Sequence, residues 1–235
     1  MRLVSTDNNA WWEEGSKNPY LLPSGITITD LGHLDCGGML MYPDFINSIK
    51  QYGGKSVYNR GFEWCAGCGT IGFEILGQGI SEHMVFSDYY DRAIHNCLET
   101  AEYNDISKKV TGYISATIAG IPSTEKWDLV VGNPPHTWDM DQTAADLKNS
   151  DVPVFMQDNI MRLIVDHNME THKEFFANIR SRLSDDADIF ISEVDTSRVI
   201  PDLAECNGLK LINTLEMPTT ANQTNLVLHH YKPIS

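Results

Sequence analysis

Two short stretches of the sequence carry residues whose types and spacing suit chemistry. The first is a glycine-rich turn, in which Gly67, Gly69 and Gly72 follow a short apolar run that contains Glu63. Glycines at a strand-to-helix turn let backbone amides and the positive end of a helix come close to a nucleotide-like ligand. The pattern Gly-x-Gly-x-x-Gly is the dinucleotide fingerprint, and taken alone it does not separate the classes of protein that use it.

The second stretch is Asn133-Pro134-Pro135-His136, which directly follows an apolar run at 127–132. Two prolines restrict the backbone and remove two amide donors. What remains is a set of acceptors, the side-chain oxygen of Asn133 and the carbonyl of Pro134, which could hold the hydrogens of a planar nitrogen. Such a site would work by orientation and by acceptors matched to developing positive charge, without a strong base.

A third candidate is Asp88, which ends an apolar run nineteen residues after Gly69. At that spacing an acid can accept hydrogen bonds from the ribose hydroxyls of a bound nucleoside. The same carboxylate also suits an N-cap for the helix that follows. Tyr89, the next residue, could flank an adenine face or belong to the core.

These residues need elements that bring them to one edge of a sheet, and strand and helix patterns do alternate from residue 61 onward. Strands are predicted at 62–66, 84–87, 110–115, 127–132, 187–194, 209–215 and 225–231. Helices are predicted at 70–76, 89–103, 154–165, 169–183 and 198–206, with a weak helix near Ala119. The alternation predicts an α/β protein with a Rossmann-like, seven-stranded, mostly parallel sheet, helices on both faces and a C-terminal antiparallel strand pair.

The first 60 residues are predicted to form a separate N-terminal region on the substrate side. Its first 25 residues read as an irregular arm. A hairpin is expected to pair a strand at 26–31 with one at 39–42, across Gly37-Gly38. A helix is then expected from 42 to 51, with Pro43 in its first turn.

Residues 61–235 are predicted to form the main domain, with an insertion at 136–170. The first half of the insertion is polar and long enough to act as a lid or a wall over a substrate. Trp138 is the candidate stacking surface within it.

The composition describes an ordinary globular chain of 235 residues, with 42% hydrophobic and 21% charged residues. No apolar run approaches the length of a membrane span, and the first residues lack the core of a signal peptide, so we expect a cytoplasmic protein. The net charge of −15 disfavours a broad nucleic-acid surface, because neutralising phosphates supplies most non-specific affinity.

The cysteines and histidines give no metal or disulfide pattern. Cys65-x-x-Cys68 could suggest zinc or redox chemistry, but no further ligands stand at a suitable spacing. The pair His167 and His172, five apart, does not share one helical face. We therefore predict no metal site.

Glu63-x-x-x-Gly67-x-Gly69, followed downstream by Asn133-Pro134-Pro135, resembles the class I S-adenosylmethionine-dependent methyltransferases. The resemblance is to their HemK-like branch, which has an Asn/Asp-Pro-Pro-aromatic motif, and it covers about residues 43–232. It implies S-adenosylmethionine as the cofactor, bound by Glu63, Cys65, Ala66, Gly67, Gly69, Asp88, Tyr89, Ser115 and Asn133. It implies catalysis at Asn133, Pro134, Pro135 and His136.

Three positions depart from the family pattern. Cys65 stands where the first glycine is usual, and Ser115-Ala116 stand where an acid usually contacts the adenine ring. His136 replaces the usual aromatic residue, and an imidazole can stack or transfer a proton.

Two other functions also fit part of the pattern. A nicotinamide-dependent oxidoreductase shares the glycines and Asp88, and a non-catalytic module could keep the cofactor site alone. Within methyltransferases, a planar amide or exocyclic amine of a protein or small molecule is the expected acceptor. The adenine or guanine amino groups of RNA or DNA are the alternative.

Overall fold

The fold was analysed in a computed structural model of the chain. The structure describes residues 17–31, 34, 35, 37–136, 140–149, 157, 161, 165–194, 199–218 and 226–234. Trp138, predicted as a substrate contact, and most of the helix predicted at 154–165 lie outside these residues.

Nine strands and six helices are named in the described residues. The strands are β1 (Tyr20–Leu21), β2 (Thr27–Ile28), β3 (Gly61–Trp64), β4 (Met84–Asp88), β5 (Val110–Ile114), β6 (Trp127–Gly132), β7 (Leu183–Val194), β8 (Leu209–Glu216) and β9 (Leu226–Pro233). The α-helices are α1 (Gly38–Tyr52), α2 (Thr70–Gly77), α3 (Asp91–Tyr103), α4 (Met140–Lys148), α5 (Glu170–Ile179) and α6 (Val199–Cys206).

Seven of the strands form one sheet in the order β5-β4-β3-β6-β7-β9-β8. Pairing is parallel from β5 through β7, and β9 runs antiparallel to both of its neighbours. The predicted α/β fold with a closing antiparallel strand pair is therefore confirmed. The strand order reverses between β3 and β6, and ligands of open α/β sheets bind in the crevice at such a reversal.

The two central strands are buried along their whole length. Every residue of β3 and of β6 is buried, as expected for strands covered on both faces. The side chains of α1, α2 and α3 pack into one core with Phe73, Phe86 and Phe190. A second core on the other face joins α5 and α6 to Phe62 and Trp127, whose rings stack with their centroids 4.0 Å apart.

The predicted hairpin between 26–31 and 39–42 is wrong. β2 instead pairs with β1, with Tyr20 opposite Ile28. β1 lies inside the stretch that was predicted to be an irregular arm. Residues 39–42 belong to α1, which buries Met41, Phe45 and Ile49 at helical spacing. A run of four apolar residues is compatible with a strand or a helix. Here the packing of the whole of α1 against the core favours the helix.

Other differences are confined to the ends of elements and to the insertion. The turns around Ala119 contain no helix. β7 begins at Leu183, where a helix was predicted to end, and Asp185 and Asp186 near its start are exposed. α4 forms within the insertion that was expected to be a polar loop.

The remaining predicted strands and helices of the main domain agree with the structure to within a few residues, where they are described. Among the described helices, none combines the length and apolar character that crossing a bilayer requires.

Candidate functional site

The strand register brings the two sequence motifs side by side. Trp64, the last residue of β3, pairs with Ser87 on one side and with Gly132 on the other. The chain continues from these three residues into Cys65, Asp88 and Asn133. The glycine turn, the acid and the Asn-Pro-Pro-His motif therefore meet in the crevice where the strand order reverses.

The turn after β3 adopts the left-handed backbone that its glycines favour. Gly67 and Gly69 have φ angles of 53° and 77°. A Cβ on Gly67 would lie 2.5 Å from the carbonyl oxygen of Leu34, so no larger residue fits there without a backbone shift. Cys65 also has a positive φ of 54°, an uncommon conformation that non-glycine residues adopt at a cost. The turn is thus closely packed and partly strained.

Glu63 holds this turn from inside. Its carboxylate is 2% exposed and accepts a hydrogen bond from the amide of Gly72 at 2.7 Å. Burial raises the pKa of Glu63 to about 8; hydrogen bonding to Gly72 partly opposes the shift, and the nearby charges of Asp88 and Asp35 add to it. The sequence left open whether Glu63 orients the turn or meets a ligand, and its carboxylate both orients the turn and lines the cavity.

Asp88 braces the turn from the neighbouring strand. Its two oxygens accept hydrogen bonds from the amides of Gly67 and Tyr90, each at 2.9 Å. The second bond lies in the turn before α3, whose N-cap is Tyr90, so the expectation that Asp88 is the N-cap is wrong. Burial raises the pKa of Asp88, so the carboxylate is costly to keep charged in this crevice.

Asp35 is a third carboxylate at the crevice, and it was not predicted. It precedes α1 and accepts a hydrogen bond from the amide of Met39 at 3.0 Å. The Sγ atom of Cys68 lies 3.6 Å from the same oxygen. Burial raises the pKa of Asp35 as well.

A cavity of about 250 Å³ lies between the glycine turn and the Asn-Pro-Pro motif. All three carboxylates line it, and no lysine, arginine or histidine is among its described lining residues. Carboxylates that share a poorly solvated space raise one another's pKa until a cation compensates them. The cavity is therefore suited to a ligand with positive charge near the turn.

All but one of the other predicted cofactor residues also line this cavity. Cys65, Ala66, Gly67, Tyr89, Ser115 and Asn133 all do, whereas Gly69 does not. Tyr89 is 51% exposed, so about half of its side chain is accessible at the crevice. The Ser115 hydroxyl donates to the carbonyl of Thr117 at 2.8 Å and accepts from the Thr117 amide at 3.3 Å.

The Asn-Pro-Pro-His segment closes the opposite side of the crevice. Asn133 and Pro135 line the cavity, and Pro134 and His136 are not among its lining residues. The Oδ1 atom of Asn133 accepts hydrogen bonds from the Ser192 hydroxyl at 2.8 Å and from Nε2 of His136 at 2.9 Å. The side chain of Asn133 is therefore held in place, and an incoming donor would share or replace one of these two bonds.

His136 is partly buried. Burial lowers its pKa to about 4, the charge of Glu193 opposes the shift, and His172 adds to it. The imidazole is consequently neutral at neutral pH. Its Nδ1 atom is buried and has no hydrogen-bond partner.

A row of buried ionisable groups stands behind His136. Nδ1 of His172 lies 2.5 Å from a carboxylate oxygen of Asp166, and its Nε2 lies 3.1 Å from Oε1 of Glu193. Burial lowers the pKa of His172, but the two carboxylates outweigh it and raise the pKa to about 9. His172 is thus an imidazolium between two carboxylates, and Oε2 of Glu193 is buried without a partner.

Sequence reasoning missed Asp35, Glu193 and this row for different reasons. Asp35 precedes the part of the chain that carries the family resemblance. Ser192 and Glu193 belong to β7. The apolar pattern of this segment predicts a strand, but it does not show which site the end of the strand lies beside. Their position at the carboxyl end of a buried strand was the one feature of the sequence that could have indicated that Ser192 and Glu193 lie near the site.

Neither the protein-family models nor the curated proteins contain a match to this chain. Solved structures do resemble it. The ribosomal protein L11 methylase of Lactobacillus delbrueckii subsp. bulgaricus superposes with a TM-score of 0.53 at 13% identity, over 81% of this chain and 76% of that one.

Two further structures cover the chain similarly. A TehB-like S-adenosylmethionine-dependent methyltransferase of Corynebacterium glutamicum gives a TM-score of 0.51 at 12% identity, over 85% of this chain and 89% of that one. A methyltransferase of Pyrococcus furiosus gives 0.55 at 8% identity, over 82% of each chain. At these identities the similarity is one of fold.

Proposed function

We propose that this protein is an S-adenosylmethionine-dependent N-methyltransferase. The acceptor is a planar amide or exocyclic amine nitrogen on a protein or a small molecule. The cofactor occupies the cavity between the glycine turn and the Asn-Pro-Pro-His segment, where it supplies an electrophilic methyl group on a sulfonium.

One observation carries this proposal. Three carboxylates, the buried Glu63 and the partly buried Asp35 and Asp88, belong to residues that line one cavity beside a glycine turn, and no described basic side chain there balances them. S-adenosylmethionine brings a sulfonium, an ammonium and two ribose hydroxyls. Its positive charge would relieve the carboxylates, and its hydroxyls fit the acceptor capacity of Asp88.

Asn133 and Pro135 of the Asn-Pro-Pro segment line this cavity. Asn133 is fixed by Ser192, so its amide can meet an acceptor nitrogen without first losing side-chain freedom. In a planar amine the lone pair is conjugated. Hydrogen bonds from its N–H groups to Asn133 and to the Pro134 carbonyl would turn that lone pair toward the methyl group, and they would strengthen as positive charge develops.

The favoured class of acceptor follows from the charge of the chain and from the neighbours. A net charge of −15 opposes a polyanionic substrate. One structural neighbour is a ribosomal protein methylase, which is compatible with a protein acceptor here. Another neighbour is a tRNA methyltransferase of B. subtilis, so nucleic-acid bases are the alternative that the experiment must include.

The experiment has two stages. Calorimetry with S-adenosylmethionine and with NAD tests the cofactor, and binding of NAD alone would favour the oxidoreductase. Labelled S-adenosylmethionine is then incubated with separate protein, RNA, DNA and metabolite fractions. Cofactor binding without label transfer to any fraction would favour a non-catalytic binding module.

A further inference from the structure

A carboxylate of α5 holds the turn that follows β5. Oε2 of Glu174 accepts a hydrogen bond from the amide of Ile118 at 2.9 Å, and Oε1 accepts one from the amide of Ala119 at 3.2 Å. Nδ2 of Asn178, four residues later in α5, donates to the same Oε1 at 3.1 Å. Hydrogen bonds to a charged group are stronger than those between neutral groups. Glu174 therefore ties two successive amides of the turn to a helix.

This turn takes part in both the core and the cavity. Ile118 is 1% exposed and belongs to the second core, together with Phe175 of α5. Ser115 and Ala116, which come just before it in the chain, line the cavity. A change in the hydrogen bonds of Glu174 would therefore move one wall of the cavity.

The later part of the turn has a separate support. The guanidinium of Arg182 donates to the carbonyl of Ile121 at 2.8 Å and to the carbonyl of Pro122. Both carbonyls come after Ile118 in the chain, and neither residue is among the described lining residues of the cavity. The support by Arg182 can therefore be weakened separately from the support by Glu174.

One backbone amide of the turn differs from its neighbours. In residues 115–119, four amides each donate to an oxygen of the protein, those of Ser115, Thr117, Ile118 and Ala119. Within the described residues, the amide and the carbonyl of Ala116 make no hydrogen bond, although Ala116 lines the cavity. Its N–H can therefore donate to a ligand in the cavity.

The strand order indicates which part of the cofactor would meet this amide, so the inference rests on the proposed function. The glycine turn follows β3, Asp88 ends β4, and Ala116 comes two residues after β5. These strands are neighbours in the order β5-β4-β3. With the sulfonium beside the glycine turn and the ribose on Asp88, the base lies toward Ala116. N1 of adenine is a hydrogen-bond acceptor, so it matches the N–H of Ala116.

We propose that Glu174 is a positioning residue for the base of the cofactor: it fixes the turn so that the amide of Ala116 donates to N1 of adenine. In the family that the sequence resembles, an acid at the place of Ser115-Ala116 usually contacts the adenine ring. Here the acid stands on α5 instead and acts through the backbone that it holds. Its replacement should weaken the choice of base without changing the contacts to the rest of the cofactor.

The binding test compares two ligands that differ only in the base. S-adenosylhomocysteine carries adenine, whereas S-inosylhomocysteine carries hypoxanthine, whose N1 bears a hydrogen and would face the N–H of Ala116. Calorimetry should show that the wild type prefers S-adenosylhomocysteine, because two opposed donors are unfavourable. Glu174→Gln keeps the size of the side chain but replaces one acceptor by a donor. In this variant the preference should fall about five- to tenfold, the scale of one misplaced hydrogen bond.

Arg182→Lys is the matched control, because it weakens the support at the other end of the same turn. Urea unfolding of both variants measures what each change costs the fold. Arg182→Lys should lower the free energy of unfolding but keep the wild-type preference between the two ligands. A purely structural role of Glu174 would make the two variants alike in this preference.

Hydrogen exchange in the wild-type protein, followed by NMR, tests the same contact without a substitution. In the free protein, the amides of Ile118 and Ala119 should exchange more slowly than that of Ala116, because they are bound to Glu174. Bound S-adenosylhomocysteine should slow the exchange of the Ala116 amide.

The outcomes separate the two proposals. The role of Glu174 is overturned by a wild type that binds both ligands equally, by an unchanged preference in Glu174→Gln, or by an equal loss of preference in Arg182→Lys. Exchange of the Ala116 amide that bound S-adenosylhomocysteine does not slow also overturns it. Failure of the wild type to bind S-adenosylmethionine or S-adenosylhomocysteine overturns the proposed function instead.

Discussion

Binding of S-adenosylmethionine should release a proton from Glu63. With a pKa of about 8, Glu63 is about nine-tenths protonated at pH 7 in the free protein. A cation in the cavity favours the charged carboxylate and lowers this pKa. If the bound value returns to its ordinary range, about 0.9 proton is released per cofactor at pH 7.

The sign of the pH dependence follows from the same linkage. The complex binds fewer protons than the free protein, so the affinity of the wild type should rise with pH up to about 8 and level off above it. The contribution of Glu63 to the affinity should fall about fifty-fold from pH 8 to pH 6. Asp35 and Asp88, whose pKa values are also raised, add to the effect in the same direction.

Calorimetry in two buffers with different ionisation enthalpies counts the released protons. Glu63→Gln keeps an oxygen for the Gly72 amide but has no proton to lose, so its release should be smaller by most of one proton. Comparing wild type with variant also removes the titration of the cofactor's own amino group. Equal proton release from the two proteins at pH 7 would refute this account of the cavity.

Three other changes test the remaining contacts. Asn133→Ala should cut the single-turnover rate by about 10²-fold with near-normal cofactor affinity in calorimetry, because it removes a contact made to the reacting nitrogen. Asp88→Ala should weaken cofactor binding by about 1–3 kcal/mol in the same assay. Gly67→Ala places a Cβ 2.5 Å from the Leu34 carbonyl at a positive φ, and urea unfolding should show a loss about 1–3 kcal/mol greater than for Gly79→Ala, whose Cβ meets nothing within 4 Å.

The central sheet could be predicted because its strands are short, apolar and separated by regular helices. β6 was located to the residue, since a fully buried run ends abruptly at Asn133. The order of the strands places the two motifs in one crevice without further information. What the sequence could supply at this level was the location of the candidate site, which stays a prediction.

The partners of each side chain could not be predicted, because they depend on packing between distant segments. Asp35 reaches the cavity only because α1 begins at Gly38, which the predicted hairpin excluded. Burial raises the pKa of Glu63 and lowers the pKa of His136. Both shifts favour the neutral form of the side chain. A periodic pattern carries no information on how deeply one polar residue within it is buried.

His136 shows how the burial of a side chain changes the pH dependence that is expected of it. From the sequence, proton transfer by an imidazole implied a step in the rate near its ordinary pKa of about 6.5. Burial moves that pKa to about 4, so activity that depends on neutral His136 should show no such step between pH 6 and 7. It should fall only as the pH approaches 4, and the fall should be missing from whatever activity His136→Phe retains. A step near pH 6.5 that disappears in His136→Phe would instead mean that the ring becomes exposed to solvent during the reaction.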